Sequence, residues 1–332
     1  MMKISYILPC YNVGRFITDT LDSIYAQGMP EDAFEVICVN DCSTDDTREK
    51  IAAVAARHGN LTLLDQPRNL YSGAARNRGL EVARGEYIWF VDADDLVKPG
   101  SAPGLLEQAE KDDLDILMFN YDEFRDGAPD VFLEHPDIFR ASGIETGCDF
   151  VEKEFGGRLE QLSLLWLRLV RRAHIERFGI RFPDLYISQD CPFAWEALLR
   201  AERVKSIPGR YYNFRSSAGS ITANKNTARK AAVWAFQFPF EMAALEERLE
   251  GTLTEPIRQD LEQSIRFEVN RFARRYLDLP ASEKNAYFQS LKKADGWLKR
   301  FRPYLSRKNR IIHASRLLGE KCFARTAAKL TR

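Results

Sequence analysis

Three carboxylates stand close together at the end of a hydrophobic stretch of the chain. Residues 86–91 read Glu-Tyr-Ile-Trp-Phe-Val, and Asp92, Asp94 and Asp95 follow. A run of β-branched and aromatic residues is typical of a strand covered on both faces, and in open α/β sheets ligands bind beyond the carboxyl ends of such strands. Clustered carboxylates repel one another unless a cation offsets them. Mg2+ or Mn2+ bridging a nucleotide diphosphate takes only one or two protein oxygens, so the pattern indicates metal–nucleotide chemistry.

The Asp-x-Asp pattern alone does not decide this. It recurs at Asp113-Leu114-Asp115, where it precedes an apolar run and is more simply a solvated turn. For residues 92–95 the alternative is an acidic turn that caps the next helix, because Asp favours turns and caps. The surrounding elements have to decide between the two.

Composition is that of an ordinary globular protein with room for two domains, or for one domain and an appendage: 332 residues, 45% of them hydrophobic. The six cysteines are scattered without paired spacing, which favours reduced thiols over disulfides or zinc, and the four histidines are too dispersed to predict a histidine-based site. No apolar run is long enough to span a bilayer, and the amino terminus lacks a secretory signal pattern, so we expect a cytoplasmic protein.

The last 35 residues are strongly basic. Residues 298–332 contain eleven Lys or Arg and one acid, Glu320, so they carry a net charge of +10 in a chain whose formal net charge is zero. One interpretation is an amphipathic segment lying on an anionic membrane surface, and the other is a helical subdomain with a solvated basic face. Nucleic acid is not expected as a partner, because the rest of the chain is acidic and has no recognised RNA-binding module. The apolar residues interleaved with the charges are Phe301, Tyr304, Ile311, Ile312, Leu317, Leu318 and Phe323.

Strands and helices alternate along the first hundred residues. Apolar runs predict strands at 4–8, 34–39, 61–64 and from 87, and helical spacing predicts helices after each of the first three. Such alternation predicts a parallel, doubly wound sheet.

The remainder is less regular. We predict a helix around 105–110, a strand at 115–124, an irregular loop at 125–146, a mostly helical stretch at 149–178, a short strand at 180–182, a helix at 191–201 and an extended segment at 204–215. Beyond Thr222 the pattern is helical throughout. This predicts an α/β domain over 1–222, with halves at 1–100 and 101–222, and an all-helical C-terminal region over 223–332.

Polar loops follow three of the predicted strands, and their order and spacing resemble glycosyltransferase family 2, whose GT-A fold is a Rossmann-like, doubly wound, mostly parallel sheet. The resemblance covers residues 1–222, about two thirds of the chain. The matching segments are ISYILPCYNVGRFITDTLDSI, FEVICVNDCSTDDT, NLYSGAARNRGLEVARGEYIWFVDADD, ISQDCPFAWEALL and YYNFRSSAGSIT.

The resemblance implies a nucleoside pocket built from the first two loops. Pro9 and Tyr11 would supply a wall for the base ring, and the Asp41 carboxylate would accept a hydrogen bond from a base N–H such as that of uracil. The alternatives are a packing aromatic for Tyr11 and a helix cap for Asp41, and Asp45 is better explained as a cap than as a contact.

The resemblance also assigns roles around the acidic cluster. Asp92 matches a position near the ribose and phosphates, and Asp94 matches the acid that holds Mn2+ or Mg2+. Asp95 would support Asp94 or face the acceptor. Arg76 would lie in a loop beside the nucleotide and reach phosphate, the alternative being a solvated arginine on a helix.

Asp190 matches the general base that takes the proton from the acceptor hydroxyl while that oxygen attacks the anomeric carbon. Asp190 is followed two residues later by Pro192, so it is also a good helix start, and the two roles are compatible. The family commonly has an acid where this chain has Gln189, two acids where it has Asn40-Asp41, and glycine where it has Cys42.

Two further segments resemble parts of the family's second half. Trp166 and Arg168 resemble the acceptor-side segment that precedes the base, the alternative for Trp166 being a core tryptophan. Arg215 and Ser220 resemble a loop that closes the domain and approaches the diphosphate.

The resemblance as a whole implies an inverting hexosyltransferase that moves a sugar from a nucleotide-sugar donor, with UDP favoured, to a hydroxyl of a glycan or lipid-linked saccharide in polysaccharide biosynthesis. Such an enzyme would work in the cytoplasm, and a lipid-linked acceptor would favour peripheral docking at the inner face of the cell membrane through residues 298–332. One alternative is a non-catalytic domain that binds a nucleotide sugar or glycan, kept open by Gln189. The other, a sugar-phosphate nucleotidyltransferase, would carry a glycine-rich basic loop where this chain has Pro9-Cys10-Tyr11-Asn12.

Overall fold

The protein is built on a mixed sheet, seen in a computed structural model that describes residues 2–216 and 227–331. In the described residues nine strands join in the order β3-β2-β1-β4-β8-β6-β9-β5, and β7 pairs with β6 outside this path. The strands are β1 (Ile4–Cys10), β2 (Phe34–Asn40), β3 (Leu61–Asp65), β4 (Tyr87–Phe90), β5 (Leu96–Val97), β6 (Ile116–Arg125), β7 (Ala128–Leu133), β8 (Arg168–Arg171) and β9 (Val204–Ser216).

The first four strands form the parallel half. β1 pairs in parallel with both β2 and β4, and β2 pairs in parallel with β3. Every residue of β2 and β4 is buried, which explains their continuous apolar runs. The connecting helices are α1 (Ile17–Tyr25), α2 (Thr47–Ala55) and α3 (Tyr71–Val82). The predicted alternation is confirmed, and the carboxyl ends of β2, β1 and β4 lie side by side.

The second half of the sheet is mixed. β8 lies antiparallel between β4 and β6, β9 runs parallel to β6, and β5 and β7 are antiparallel to their partners. The predicted parallel, doubly wound arrangement is confirmed in β1–β4, and β6 and β9 add a further parallel pair among antiparallel neighbours. The helices of this half are α4 (Ser101–Lys111), α5 (Gly147–Phe155), α6 (Arg172–Phe178) and α7 (Asp190–Leu199), with short 3-10 turns at Glu160–Ser163 and Leu165–Leu167.

Two local predictions are wrong and a third is incomplete. The stretch 149–178 is mostly helical, as predicted, but also contains the central strand β8. The predicted loop at 125–146 contains β7, which forms a hairpin with β6. No strand forms at 180–182, because the backbone N–H and C=O of Phe182 bond to the side chain of Asn77, 2.9 Å away in each case, and its ring stacks on Phe193.

The chain divides into two compact units. The first comprises Met1–Asp184 and Gln189–Ser217, and the second comprises Leu185–Ser188 and Ala218–Arg332. The second unit is helical in its described residues, with a π-helical turn at Val233–Gln237. Its helices are α8 (Ala228–Ala232), α9 (Phe238–Arg248), α10 (Glu255–Asn270), α11 (Phe272–Asp278), α12 (Ala281–Lys293), α13 (Asp295–Phe301), α14 (Arg307–Ser315) and α15 (Glu320–Leu330).

Three of the seven apolar residues noted in the basic tail belong to the core of this helical unit. Phe301, Ile312 and Phe323 are buried, so the tail is not a continuous amphipathic segment lying on lipid. Its exposed large apolar residues, among those described, are Ile311, Leu317 and Leu318. No described helix combines the length and apolar character that a bilayer crossing requires.

Candidate functional site

Asp95 ties the end of β4 to strand β9. Its carboxylate accepts hydrogen bonds from the Tyr212 hydroxyl at 2.9 Å and from the Arg215 backbone N–H at 2.7 Å, and the residue is 1% exposed. Burial raises the pKa of Asp95 well above its ordinary value, and the neighbouring Asp94 and Asp92 raise it further. Asp95 therefore supports the cluster from within the fold.

Asp94 is the half-buried acid of the cluster. Burial and then the charge of Asp92 raise the pKa of Asp94 to about 6, while Arg215 opposes the rise. The Arg215 side chain donates from Nε to the backbone carbonyl of Asp94 at 2.7 Å. An acid in this position is short of positive charge, and a divalent cation would favour its ionised form.

Asp92 forms an ion pair with Arg76. The Arg76 guanidinium donates to Oδ1 of Asp92 at 2.7 Å and lies over the ring of Phe182. Arg76 lies in the second turn of α3 and is buried, so the expectation that it lies in a loop is wrong. Its Nε is buried without a hydrogen-bond partner among the described residues. The backbone N–H of Asp92 donates to the Tyr212 hydroxyl at 3.1 Å.

The charges of Arg76 and Asp92 both act on the carboxylate of Asp190. Asp190 is the first residue of α7 and is half-buried. Burial raises the pKa of Asp190, the positive charge of Arg76 opposes the rise, and the negative charge of Asp92 adds to it. The structure thus brings Asp190, Arg76 and Asp92 together from two helices and the end of a strand.

Contacts with α3 hold the segment that leads to Asp190. The Gln189 side chain is buried and donates from Nε2 to the hydroxyl of Ser72, and it packs so closely on Gly73 that a Cβ there would lie 2.8 Å from Gln189 Cγ. Together with the Asn77–Phe182 pair, these contacts bind α3 to both ends of the segment 182–189.

Arg168 is a buried cation near the same site. It is 0% exposed in β8, and its guanidinium donates to the backbone carbonyls of Leu162 at 2.7 Å and Ala194 at 3.2 Å. Burial lowers the pKa of Arg168 to about 10, and the charge of Asp190 opposes that fall. The sequence signal for this role is an arginine inside an apolar run. Trp166, in contrast, is a core residue stacked on Tyr212 and Phe214.

The candidate nucleoside side lies at the ends of β1 and β2. Pro9 is paired in register with Val39, and Tyr11, just beyond β1, is 43% exposed. The Asp41 carboxylate is buried and accepts from the backbone N–H groups of Leu70 and Tyr71, both at 2.7 Å, and from Gln66 at 2.9 Å. Burial raises the pKa of Asp41, and these three hydrogen bonds oppose the rise.

The two loops on this side are joined to each other. The Asn12 side chain accepts from the Thr44 backbone N–H at 2.8 Å, and Asp45 accepts from the backbone N–H groups of Gly14 and Thr47. Asp45 therefore accepts a hydrogen bond from the first backbone N–H of α2, although the residue at the helix N-cap is Asp46. Ser220 lies outside the described residues.

The donor set fits a divalent cation held largely by its ligand. No group of three or more acidic, histidine or cysteine side chains with metal-binding geometry occurs in the part of the chain that the structure describes. Asp94, with Asp92 beside it, offers the one or two oxygens that Mg2+ or Mn2+ takes from protein when phosphates complete its shell.

A mixed α/β sheet with acids at the carboxyl ends of adjacent parallel strands defines the GT-A class of nucleotide-binding folds. The family model described as "Glycosyl transferase family 2" matches residues 5–154. The chain is also 34% identical over 227 residues to the glycosyltransferase GlyG of Streptococcus pneumoniae, a match that covers 66% of this chain and 72% of GlyG. The chain belongs to glycosyltransferase family 2.

Other relatives agree in class. The chain is 33% identical over 230 residues to the uncharacterized glycosyltransferase YibD of Escherichia coli, covering 68% of this chain and 66% of YibD, and it spans about two thirds or less of the first curated relatives that it matches. The crystal structure of Staphylococcus aureus TarS 1–349 in complex with UDP-GlcNAc superimposes with a TM-score of 0.67 at 21% identity, covering 99% of this chain and 91% of that one. The likeness to TarS establishes the shared GT-A fold.

Proposed function

We propose that the protein is an inverting glycosyltransferase that moves a sugar from a UDP-linked donor to a hydroxyl of a glycan or lipid-linked saccharide. The observation that carries the proposal is the convergence of Asp190 with Arg76 and Asp92 beside Asp94. A candidate base and a candidate diphosphate site lie in one electrostatic field, as transfer from a nucleotide to a hydroxyl requires.

The donor would be bound along the edge formed by β2, β1 and β4. Tyr11 and Pro9 offer an apolar wall for the base, and Asp41 has both carboxylate oxygens already engaged, with lone pairs left for one further N–H. The UDP-GlcNAc bound in the TarS structure supports a uridine nucleotide for this chain. Arg76 would approach the diphosphate while keeping its contact with Asp92.

Asp94 would hold Mn2+ or Mg2+ together with the diphosphate. When bound, the cation would offset the negative charge that develops on the departing nucleoside diphosphate. The chain's own contribution is to hold Asp94 between Asp92 and the Arg215 contact and to shield it from water.

Asp190 would take the proton from the acceptor hydroxyl. Its carboxylate must be ionised to do so, and Arg76 favours the ionised form against the effect of burial. Attack from the face opposite the nucleotide would invert the anomeric configuration. Asp190 lies in the rigid first turn of α7, and Gln189 anchors that turn to α3.

The donor site is tested by thermal unfolding with UDP, GDP, dTDP and CDP, each with and without Mn2+ or Mg2+. A ligand at a hundred times its dissociation constant stabilises the folded state by about 2.7 kcal/mol, which raises Tm by several degrees. We expect the largest shift with UDP plus metal, and loss of the metal-dependent part in Asp94→Asn. A folded protein that shifts with none of the nucleotides would contradict the donor site.

A non-catalytic nucleotide-sugar-binding domain is the second candidate. The observation in its favour is Gln189, whose neutral side chain stands where the family commonly has an acid and is engaged with Ser72. Asp190→Asn separates the two: a base predicts retained UDP binding with transfer reduced by about 10²- to 10⁴-fold. The matched control is Asp184→Asn, an exposed acid six positions earlier. Wild-type protein that binds donor but transfers to no acceptor would favour the second candidate.

The acceptor is proposed from the relatives' class rather than from a described pocket. A lipid-linked saccharide would bring the enzyme to the inner face of the cell membrane. Incubating labelled UDP-sugars with separate pools of soluble glycans and lipid-linked saccharides would identify the acceptor by the pool that gains label.

A further inference from the structure

Two adjacent leucines stand exposed at a turn of the helical unit. Leu317 and Leu318 occupy the 3-10 turn between α14 and α15 and are 78% and 75% exposed, the highest values among the exposed large apolar residues described. Single exposed apolar residues are normal on protein surfaces, but paired leucines at one turn indicate a contact site. Their neighbours Ile312 and Phe323 are buried in the unit's core, so the leucines are not needed to complete it.

Exposed basic residues flank this turn on both sides. On α14, Arg307, Lys308 and Arg310 are exposed and Ile311 is half exposed. On α15, the exposed residues Lys321, Arg325 and Lys329 recur at every fourth position, so they form one stripe along the helix.

The basic residues of this surface have almost no acidic neighbours within residues 298–332. Glu320 is the single acid of residues 298–332, and its carboxylate accepts a hydrogen bond from the Tyr276 hydroxyl at 2.9 Å. Arg300 is paired with Glu247, whereas the exposed Arg307, Lys308, Lys321, Arg325 and Lys329 form no ion pair with a described acid and remain available to an anionic partner.

We propose that the turn at Leu317–Leu318 and the basic residues of α14 and α15 form a docking surface for an anionic lipid bilayer. A bilayer supplies both complements at once, because its headgroups carry negative charge and the acyl boundary below them accepts apolar side chains. A nucleic acid would satisfy the basic residues and leave the leucines in water. The inference is independent of the proposed donor chemistry, since every residue that carries it belongs to the helical unit.

Sedimentation of the full chain with vesicles tests the proposal. We expect binding to phosphatidylcholine vesicles that contain phosphatidylglycerol, little binding to pure phosphatidylcholine, and weakening as salt is raised. Each basic residue near such a surface contributes about fivefold to affinity, so Lys321→Gln/Arg325→Gln/Lys329→Gln should weaken binding by about 100-fold. Leu317→Glu/Leu318→Glu should abolish binding while leaving Tm unchanged, because both side chains are solvated in the folded state.

Matched controls keep the result specific. Arg57→Gln/Lys111→Gln/Arg158→Gln removes the same charge from exposed positions of the other unit, and Phe267→Glu alters an exposed apolar residue of α10. Both control variants should bind vesicles like the wild type. The proposal is overturned if the wild type ignores anionic vesicles, if the controls lose binding equally, or if the leucine variant changes the oligomeric state in sedimentation velocity and vesicle binding stays intact.

Discussion

Asp92, Asp94 and Asp95 follow one strand, yet each contacts a different group. Asp95 accepts from Tyr212 and Arg215 inside the fold, Asp92 is paired with Arg76, and Asp94 remains half-buried with a pKa raised to about 6. Three acids of one type thus divide into a support, an ion-pair partner and a candidate metal ligand because of the neighbours that β9 and α3 provide.

The charge of Arg76 should set the acid limb of the rate profile. Burial raises the pKa of Asp190 and Arg76 opposes this, so the base loses activity as pH falls through the raised pKa. In Arg76→Gln the opposing charge is gone, and we expect the acid limb of kcat to move to higher pH. Arg76→Lys keeps the charge and should leave the limb near its wild-type position. An acid limb at the same pH in the wild type and both variants would contradict an effect of Arg76 on the pKa of Asp190.

Removing the hydroxyl of Tyr212 should destabilise the protein. That hydroxyl donates to Asp95 and accepts from the backbone N–H of Asp92, so Tyr212→Phe leaves two buried polar groups without this partner. We expect a loss of about 1–3 kcal/mol in the free energy of unfolding, measured by urea titration. Tyr211→Phe, one position earlier, is the control and should cost less than about 0.5 kcal/mol. Equal losses in the two variants would show that the hydroxyl network contributes nothing specific.

The sequence identified candidate site residues where an acidic side chain stands at the end of a predicted strand or at the start of a predicted helix. Asp92, Asp94 and Asp190 were selected as acids at strand or helix ends, and the structure places all of them near Arg76 or Arg215. Arg168 and Tyr212 were not assigned these roles, because burial of a charge and a hydroxyl bridging two distant segments depend on tertiary contacts that spacing does not encode. The catalytic and binding roles themselves stay predictions.

At the scale of elements, α3 is the common support of both halves of the site. It carries Arg76 towards Asp92, it holds Gln189 through Ser72 and Gly73, and through Asn77 it bonds to Phe182. The relative positions of the base and the acidic cluster therefore depend on the contacts that Phe182 and Gln189 make with this helix.

Loss of the Asn77 contacts should separate donor binding from transfer. Asn77→Ala removes both hydrogen bonds to the backbone of Phe182, and a shift of about 1 Å in the base costs about 10²-fold in rate. We expect the Kd for UDP, measured by calorimetry, to stay within about twofold while kcat falls by up to that factor. Arg78→Ala, on the exposed side of the same helix, should change neither quantity. A parallel loss of both in Asn77→Ala would argue for general unfolding of the site.

Strands that appear in the sequence as apolar runs were predicted correctly, and a short strand bounded by charged residues was not. β2 and β4 are buried throughout and appear in the sequence as unbroken apolar runs. β8 is only four residues long and begins and ends in arginine, so its composition hides a central strand whose Arg168 is satisfied by carbonyls from Leu162 and Ala194. Phe182 has strand-like neighbours, but the Asn77 side chain takes its backbone hydrogen bonds.

At the scale of the whole molecule, the predicted boundary between residues 222 and 223 does not account for a short excursion of the chain. Leu185–Ser188 belongs to the helical unit although the residues on both sides belong to the other unit. Within the helical unit, the Trp234 indole donates to the Ser188 hydroxyl at 2.9 Å, and Arg229 lies over the ring of Tyr186. Asp190 follows this excursion by two residues. We therefore propose that the conformation of residues 185–188, held by Trp234 and Arg229, helps through the chain itself to position the base.

Trp234→Phe in the full chain should reduce transfer. The variant keeps a ring but loses the hydrogen bond to Ser188, worth about 1 kcal/mol, so we expect kcat to fall by about fivefold with the UDP-induced Tm shift unchanged. The matched control is Trp297→Phe, a buried tryptophan of the same unit whose ring packs on Phe236, Phe272, Phe301 and His313. It should lower Tm and leave kcat near wild type. A fall in kcat that is equal in the two variants would contradict positioning through Ser188.

The excursion also bears on how such chains can be recombined. Residues 185–188 belong to the helical unit although they lie before residue 217. A hybrid that joins residues 1–217 of this chain to a relative's C-terminal helices would therefore keep four residues that pack against helices it no longer has. A workable graft would have to exchange that tetrapeptide as well. A single cut at residue 222, where the sequence predicts the boundary, would leave these four residues behind.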